Sequence, residues 1–468
     1  GAVSAFALTE PDVGSDPARI GATAVPTEDG SAYILNGEKL WCTNGPVADL
    51  LVVMARTPAE GGKGRPGITA FIVEADSPGV EVVHRCEFMG LRGIENGVLR
   101  FTNVRVPREN VLWGVGKGLK LALITLNTGR LTIPATAAAA GKWCLRVARE
   151  WSAERQQWGA PVGKHDAVAQ MLGGMAGSVF AMEAIADLAA RMADSDRFDI
   201  RLEAAIAKMY NSETAWRVVD DTMQIRGGRG YETAESLAAR GEAPIGVERA
   251  MRDLRINLIF EGSSEIMRLF IAREAVDPHI QQAGALFDDE AAFGAKAASV
   301  LRLGTHMAAW VGGNMVGWGH WPRYTQYGPL ARHLRYADRA ARRLARRLAY
   351  LMARHGPGLE RRQSLLFRLV DVGAELFAIA AVCTHARALV ADRPEDRRPY
   401  ALADQFCRGA RRRIEASFRA VMRNDDVVTY RLAQQVLGGE HAWVEAGILA
   451  PDASPRKQPE AAALEPAR

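Results

Sequence analysis

The stretch Arg255–Ala272, RINLIFEGSSEIMRLFIA, decides how this chain is read. Leu258, Ile259 and Phe260 lead into it, and Ile266, Leu269, Phe270 and Ile271 follow, so apolar walls flank a Gly-Ser-Ser turn. Between wall and turn stands a lone carboxylate, Glu261. Burying an unpaired carboxylate is costly unless a cation, hydrogen bonds or a raised pKa relieves it. Ser263 and Ser264 are residues that open helices as N-caps, and Glu265 would fall in the first turn of the helix they start. The stretch therefore puts a carboxylate in an apolar setting at the mouth of a helix.

Upstream of it, from Gly114, the apolar period is helical. KLALITLN, AAAAGKWCLRVAREWSAER, VAQMLGGMAGSVFAMEAIADLAARMAD and LEAAIAKMYNSETAWRVVDDTMQI repeat apolar residues at three and four spacing. Four such segments before residue 280 predict a helical bundle. HIQQAGALFDDEAAFG then reads as a connection. Residues 281–450 turn helical again, with Leu334, Ala337, Ala341, Leu344, Leu348 and Leu351 on one seam. The Pro- and charge-rich tail 451–468 reads as disordered.

Residues 1–113 follow the other period. GATAVPTEDGSAYILNGEKLWCTNG holds two turn signals, Asp29-Gly30 and Asn36-Gly37, and DLLVVMAR, GITAFIVEA, GVEVVH and NGVLRFTNVRV continue at short spacing to Pro107. The expected architecture is α+β: an antiparallel β-barrel or sandwich domain (1–113), a helical bundle domain (114–280) and a further all-helical domain (281–450). The chain opens at Gly1 already in strand pattern, from which a preceding part is expected.

Charge is unevenly placed. Residues 281–468 hold 28 Lys plus Arg against 19 Asp plus Glu, while the whole chain is only +5. The basic surplus thus belongs to the last third and points to a different surface role there. Five scattered cysteines without a C-x-x-C pair signal neither a disulfide framework nor a zinc site, and a reducing, cytoplasmic compartment is the default. No uninterrupted apolar run reaches membrane-spanning length. Nucleic-acid binding is disfavoured, because aromatic residues are not interleaved with the C-terminal charges.

Further motifs are weaker singly. FALTEPDVGSD (residues 6–16) brings hydroxyls and backbone donors close together, as recognition of a phosphate or polar ring requires, although a turn between strands explains it as well. LWCTNG (40–45) sets an aromatic beside a hydroxyl, suited to a flat ring or equally to a core. QIRGGRGY (224–231) ends a helix in three glycines, which allow close approach of a ligand or simply cap the helix. It is no dinucleotide fingerprint, since a helix and not a strand precedes it. ERAMRDLRI (248–256) reads as a solvated or ion-paired helix face.

Taken in order, LTEPDVGSD, LWCTNG, ERQQWG, QIRGGRGY and MRDLRINLIFEGSSEI resemble the acyl-CoA dehydrogenase family, from Gly1 to about Arg273. LNTGR and the long helical extension look most like its very-long-chain subgroup. The resemblance implies an FAD enzyme of fatty acid β-oxidation that forms a trans-2,3 double bond in an acyl-CoA. Its acceptor would be an electron-transfer flavoprotein, and the enzyme a homo-oligomer, dimer or tetramer. Alternatives are an acyl-CoA oxidase and a non-catalytic flavin-binding assembly protein of the same fold.

The resemblance makes Glu261 the base that takes the α-proton, with hydride passing to flavin N5. It implies that Phe6, Leu8, Thr9 and Ser15 line the flavin ring, Ser15 also touching acyl-CoA, and that Trp41 and Thr43 pack behind the ring and bond N5. Arg155 and Gln157, with Trp158 beside them, would reach the FAD of a neighbouring subunit. Gln224, Gly227 and Gly228 match the adenosine and pyrophosphate side, closed over by Ser263, Ser264 and Glu265. Asn127 and Arg130 match acyl-CoA contacts, and Phe260 and Gly262 leave room for the thioester. The family's all-helical domain would precede the β domain and is not among these residues, Ser263 replaces the commoner Thr, and His165-Asp166 stands where His-Gln is common. The Arg-rich helix near 335–354 reads either as a bundle helix with a solvated face or as a peripheral membrane contact.

Overall fold

Strand periodicity before residue 113 and helical periodicity after it are both realised. The computed structural model describes residues 1–59, 64–195, 197, 199–282 and 293–447. The tail read as disordered, and most of the connection before residue 293, lie outside the described residues. Gly1–Phe418 forms one compact unit, and a second begins at Arg419.

The first unit opens with eight strands: β1 (Ser4–Ala7), β2 (Thr23–Pro26), β3 (Ala32–Thr43), β4 (Leu50–Thr57), β5 (Gly67–Glu74), β6 (Val80–Arg85), β7 (Asn96–Pro107) and β8 (Val111–Leu112). They form one sheet in the order β6-β7-β3-β2-β4-β5-β8, with β1 also on β4. Most pairings are antiparallel, but β1 and β2 run parallel to β4. Alternation along β3, β4, β5 and β7 turns Leu35, Leu51, Val53, Phe71, Leu99 and Phe101 into one core, with Tyr33 edge-on to Phe71 at 5.1 Å.

One expected turn is not a turn. Asp29-Gly30 does reverse the chain between β2 and β3, with Gly30 at φ 66°. Asn36-Gly37, by contrast, lies inside β3 as a bulge, where the register against β7 shifts between Leu35 and Gly37. The ladders to β2 and β7 hold both sides of β3 extended, so the extra residue is absorbed as a kink. A side chain at Gly37 would also meet the Cβ of Ala22 at 2.6 Å.

The first two expected helical segments are a single helix, α1 (Gly118–Glu154), which runs through Pro134. After the hairpin β9 (Gln156–Gln157) and β10 (Ala160–Pro161) come α2 (Asp166–Asp194), α3 (Arg201–Arg226), α4 (Gly228–Tyr231), α5 (Ala234–Ala239), α6 (Val247–Arg255) and α7 (Ser264–Gln282). Asn211 of α3 donates to the carbonyls of Pro134 at 3.0 Å and Met182 at 2.9 Å, tying α1, α2 and α3 around Cys144, Ala148, Met182 and Val219. The start of α1 packs on the sheet through Ala122, Met54, Ile68 and Ala70.

A second joint is made by α6. Asp253 accepts from the Leu91 amide at 2.6 Å, and Arg252 donates to the Met89 carbonyl at 2.7 Å. Gly90 lies so close that an added Cβ would stand 2.3 Å from the Arg252 carbonyl oxygen. Gly90→Ala should therefore lose about 1–3 kcal/mol by overpacking, measured as a lower urea midpoint with unchanged slope.

The C-terminal helices are α8 (Phe293–Val316), α9 (Ala331–His355), α10 (Gln363–Asp392) and α11 (Arg398–Met422). Two arginines of α9 turn onto neighbours, Arg343 bonding Glu415 at 2.9 Å and Arg346 the Asn314 carbonyl at 2.6 Å, while Arg342 pairs with Asp338 one turn back on α9 itself. This is bundle packing, and it uses charges that the sequence assigned to a solvated face. The second unit carries α12 (Asp426–Leu437), with Val428, Tyr430 and Leu437 exposed.

Candidate active site

Glu261 occupies the turn between the end of α6 and α7, in left-handed backbone at φ 56°, followed by Gly262 at φ 86°. Holding a glutamate there costs about 1–3 kcal/mol and persists only where surroundings over-determine it. Ser263 caps α7, its hydroxyl accepting from the Ile266 amide at 3.4 Å, and Glu265 lies in the first turn. Beyond it Arg268 grips both oxygens of Glu213 at 2.6 and 3.0 Å and Asp371 of α10 at 2.9 Å. The helix that follows the carboxylate is thus anchored to α3 and to α10.

Burial pushes the Glu261 carboxyl above its ordinary range, while Lys208 and then Arg130 pull it back down. Among the described residues its Oε2 is buried without a hydrogen-bond partner. That oxygen faces Gly129 of α1, where an added Cβ would stand 3.1 Å from it. Arg130 is buried, lies over the Phe270 ring at 5.2 Å, and has its pKa lowered by desolvation. The side chain of Asn127, one turn earlier, lies outside the described residues. Phe260 is partly exposed beside the carboxylate. A desolvated carboxylate with one uncommitted oxygen is a group able to take a proton.

A second group gathers on the sheet. β1 and its continuation run beside the end of β3: the Leu40 amide donates to the Thr9 carbonyl at 2.9 Å, and Cys42 Sγ approaches the Phe6 carbonyl at 3.7 Å. Phe6, Leu8 and Thr9 thereby line up with Trp41 and Thr43. Trp41 is 57% exposed, Thr43 is exposed beside it, and Thr43 Oγ1 accepts from the Asn96 side-chain Nδ2 at 2.9 Å, which leaves the hydroxyl hydrogen free to donate. Ser15 is exposed in the following loop.

The frame behind this group was not legible in the motifs. Lys39, with no exposed surface, donates to the Leu8 carbonyl at 3.1 Å and to Glu10 at 2.7 Å. Glu10 also accepts from the amides of Gly21 at 2.5 Å and Ala22 at 3.1 Å. A lysine at an inward position of a strand was the available signal.

A third group centres on Trp151. Its indole donates to the Ile225 carbonyl at 3.1 Å, and the guanidinium groups of Arg226, Arg229 and Arg155 lie 5.0, 5.4 and 5.8 Å from its ring. ERQQWG and QIRGGRGY, some 70 residues apart, thus meet at one indole. Gln157 pairs with Ala160 in the hairpin, Trp158 is 88% exposed with His165 edge-on at 5.6 Å, and Gln224, Gly227 and Gly228 are all exposed. Arg229 is engaged by Glu242 at 2.5 and 2.6 Å, whereas Nε of Arg226 is buried with no partner among the described residues.

Lys208 is the residue at the Glu261 turn that the motifs missed. It interrupts an apolar run of α3, AAIAKMY, and its Nζ reaches both carbonyls that flank Glu261.

Comparison with known proteins shows the family. Residues 5–104 match the acyl-CoA dehydrogenase middle domain, 116–276 its C-terminal domain, and 329–438 the ACAD9/ACADV C-terminal domain. The chain is 55% identical over 451 residues to "Probable acyl-CoA dehydrogenase FadE10" of Mycobacterium tuberculosis, covering 96% of this chain and 69% of that protein. It is 33% identical to the human mitochondrial very long-chain specific acyl-CoA dehydrogenase, over 90% of this chain and 63% of that one. Among solved structures, an acyl-CoA dehydrogenase from Bacillus anthracis complexed with FAD matches with a TM-score of 0.71 at 25% identity, covering 92% of this chain and 71% of that one. By class, then, the protein is an FAD-dependent oxidoreductase. It belongs to the acyl-CoA dehydrogenase family.

The residues present fit that cofactor. An exposed indole beside a hydroxyl free to donate suits a flat ring with a hydrogen-bonding edge. A buried guanidinium with an unused Nε, next to the exposed glycine backbone of 227–228, suits a diphosphate.

Proposed function

We propose that this protein catalyses α,β-dehydrogenation of an acyl-CoA thioester, of long or very long chain, to the trans-2-enoyl-CoA in fatty acid β-oxidation. The observation that carries the reading is the Oε2 of Glu261, buried at a strained turn and without a partner among the described residues. When bound, FAD supplies a two-electron acceptor for the β-hydrogen. Glu261 takes the α-proton onto its uncommitted oxygen. The α-proton of a thioester is weakly acidic, so a base kept dry and held above its ordinary pKa is matched to the task. The Glu261 amide is the donor that would receive charge developing on the thioester oxygen. Phe260 and Gly262 shape the approach, and Arg130 and Asn127 are assigned to acyl-CoA contacts in this reading.

Trp41 and Thr43, with Phe6, Leu8, Thr9 and Ser15, form the platform for the flavin ring. The Gln224, Gly227 and Gly228 face, with Ser263, Ser264 and Glu265, takes the dinucleotide side. Arg155, Gln157 and the exposed Trp158 are offered to a second copy in a homo-oligomer, dimer or tetramer. The electron acceptor in this reading is an electron-transfer flavoprotein, and the compartment cytoplasmic, supported by five unpaired cysteines. The long-chain preference is supported by the match of residues 329–438 to the ACAD9/ACADV C-terminal domain. The domain division at 113 and 280 belongs to the same reading.

The test is the visible spectrum of the purified protein, followed by anaerobic palmitoyl-CoA and then butyryl-CoA. We expect a flavin band bleached at least about tenfold faster by the longer thioester, a difference of about 1.4 kcal/mol in barrier. Faster bleaching by butyryl-CoA would overturn the chain-length assignment. Rapid recovery of colour in air would mark an oxidase, and a flavin that neither thioester reduces would mark a non-catalytic flavoprotein.

A further inference from the structure

Lys208 has no exposed surface at all. An ammonium taken fully out of water must recover its lost hydration from the protein. It does so on the backbone, donating to the Phe260 carbonyl at 2.9 Å and the Gly262 carbonyl at 2.6 Å. Those are the carbonyls of the residues before and after Glu261. One cation thus brackets the residue whose backbone is left-handed, and whose successor is left-handed too. A left-handed turn breaks the regular backbone ladder, and Lys208 supplies a donor to the carbonyl just before it, of Phe260, and to the one that ends it, of Gly262.

We propose that Lys208 is a positioning residue for the catalytic carboxylate: its ammonium holds the Phe260–Gly262 turn in the conformation that presents Glu261, and keeps a fixed positive charge beside it. This rests on Glu261 being the base. The charged groups facing Lys208 are Glu261 on the turn, Arg130 of α1, Glu213 of α3 itself and Glu265 of α7; those facing Glu261 are Lys208 and Arg130. Burial brings the lysine down to about 8, with Glu261 opposing that fall and Arg130 adding to it. The bracket is therefore expected to discharge just above neutrality.

The experiment is the pH dependence of flavin bleaching by palmitoyl-CoA in the holoenzyme, for wild type, Lys208→Met, Lys208→Arg and Glu261→Gln. Wild type should lose rate as pH rises through about 8. Lys208→Arg, which stays charged, should lack that alkaline limb. In Lys208→Met the acid limb should move up by about one unit or more, equivalent to about tenfold in the protonation equilibrium of Glu261. Its KM should change far less than its kcat. A carboxyl infrared titration with 13C-labelled glutamate, taken as the difference from Glu261→Gln, should show the same upward move without turnover. A Lys208→Met protein that melts earlier but keeps both limbs would overturn the proposal and leave Lys208 a buried strut. If Lys208→Met does not fold, an alkaline limb that persists in Lys208→Arg overturns it equally. Retained rate in Glu261→Gln would instead remove the base assignment itself, a separate failure read from a separate variant.

Discussion

Glu261→Gln is expected to abolish dehydrogenation, lowering kcat by about 10²–10⁴-fold, the range for loss of a positioned general base. The amide keeps the size and the turn of the carboxylate but cannot accept the α-proton. Binding of acyl-CoA should survive, because the change removes no bulk from the approach lined by Phe260 and Gly262. The flavin band should also remain, since the sheet residues around Trp41 are untouched.

Stability should move the other way. Burial holds the Glu261 carboxyl above its ordinary pKa, so folding disfavours its ionised form. A carboxyl raised in this way contributes stability while it is protonated, below its unfolded pKa. That contribution is lost as pH rises through the folded value. At neutral pH the wild type therefore carries a penalty that glutamine lacks, and the variant should melt at the same temperature or higher. Anaerobic bleaching and a melting curve at pH 7 read both effects. Turnover within a few-fold of wild type would sink the assignment of Glu261 as base.

Lys39→Met is the second large effect, and it is structural. Lys39 and Glu10 form an ion pair at 2.7 Å with side-chain exposures of 0% and 8%. Removing the cation leaves Glu10 buried, supported among the described residues by the Gly21 and Ala22 amides, and leaves the Leu8 carbonyl without its lysine donor. Breaking one side of such a pair typically loses about 3–5 kcal/mol. Urea unfolding monitored by tryptophan fluorescence should show that loss. Because Leu8 and Thr9 lie against the Trp41 segment, flavin should also dissociate at a lower temperature. The double variant Glu10→Gln/Lys39→Met should recover part of the loss, since no unpaired charge then remains. A single-variant loss under about 1 kcal/mol would show that water reaches this pair and screens it.

Much of the molecule was legible from periodicity and turn chemistry alone. The alternation in DLLVVMAR and GITAFIVEA gave β4 and β5 their strands, and three-four spacing marked α2, α3 and α9. The family could be read because five short motifs stand in order, and Glu261 stood out as a charge between apolar walls. What local pattern could not specify was partnership across the chain. Asn36-Gly37 carries a turn signal, yet two ladders keep it extended as a bulge. Strands β1 and β2 run parallel to β4, a pairing across the chain that the alternation within each strand does not record. The α9 arginines looked solvated until α8 and α11 offered them a carbonyl and a carboxylate.

The residues around the candidate base show the division most clearly. By itself, the sequence determined that a carboxylate would sit at the mouth of α7, because Ser263, Ser264 and the flanking apolar residues encode a capped helix locally. Only the tertiary structure decided what faces that carboxylate. Lys208 lies 53 positions before Glu261, and Arg130 131 positions before it. Electrostatic influence falls with distance in space and with solvent screening, neither of which a linear pattern records. Packing α1 and α3 against the turn buried the carboxyl, which raises its pKa, and brought both cations within range to oppose that rise.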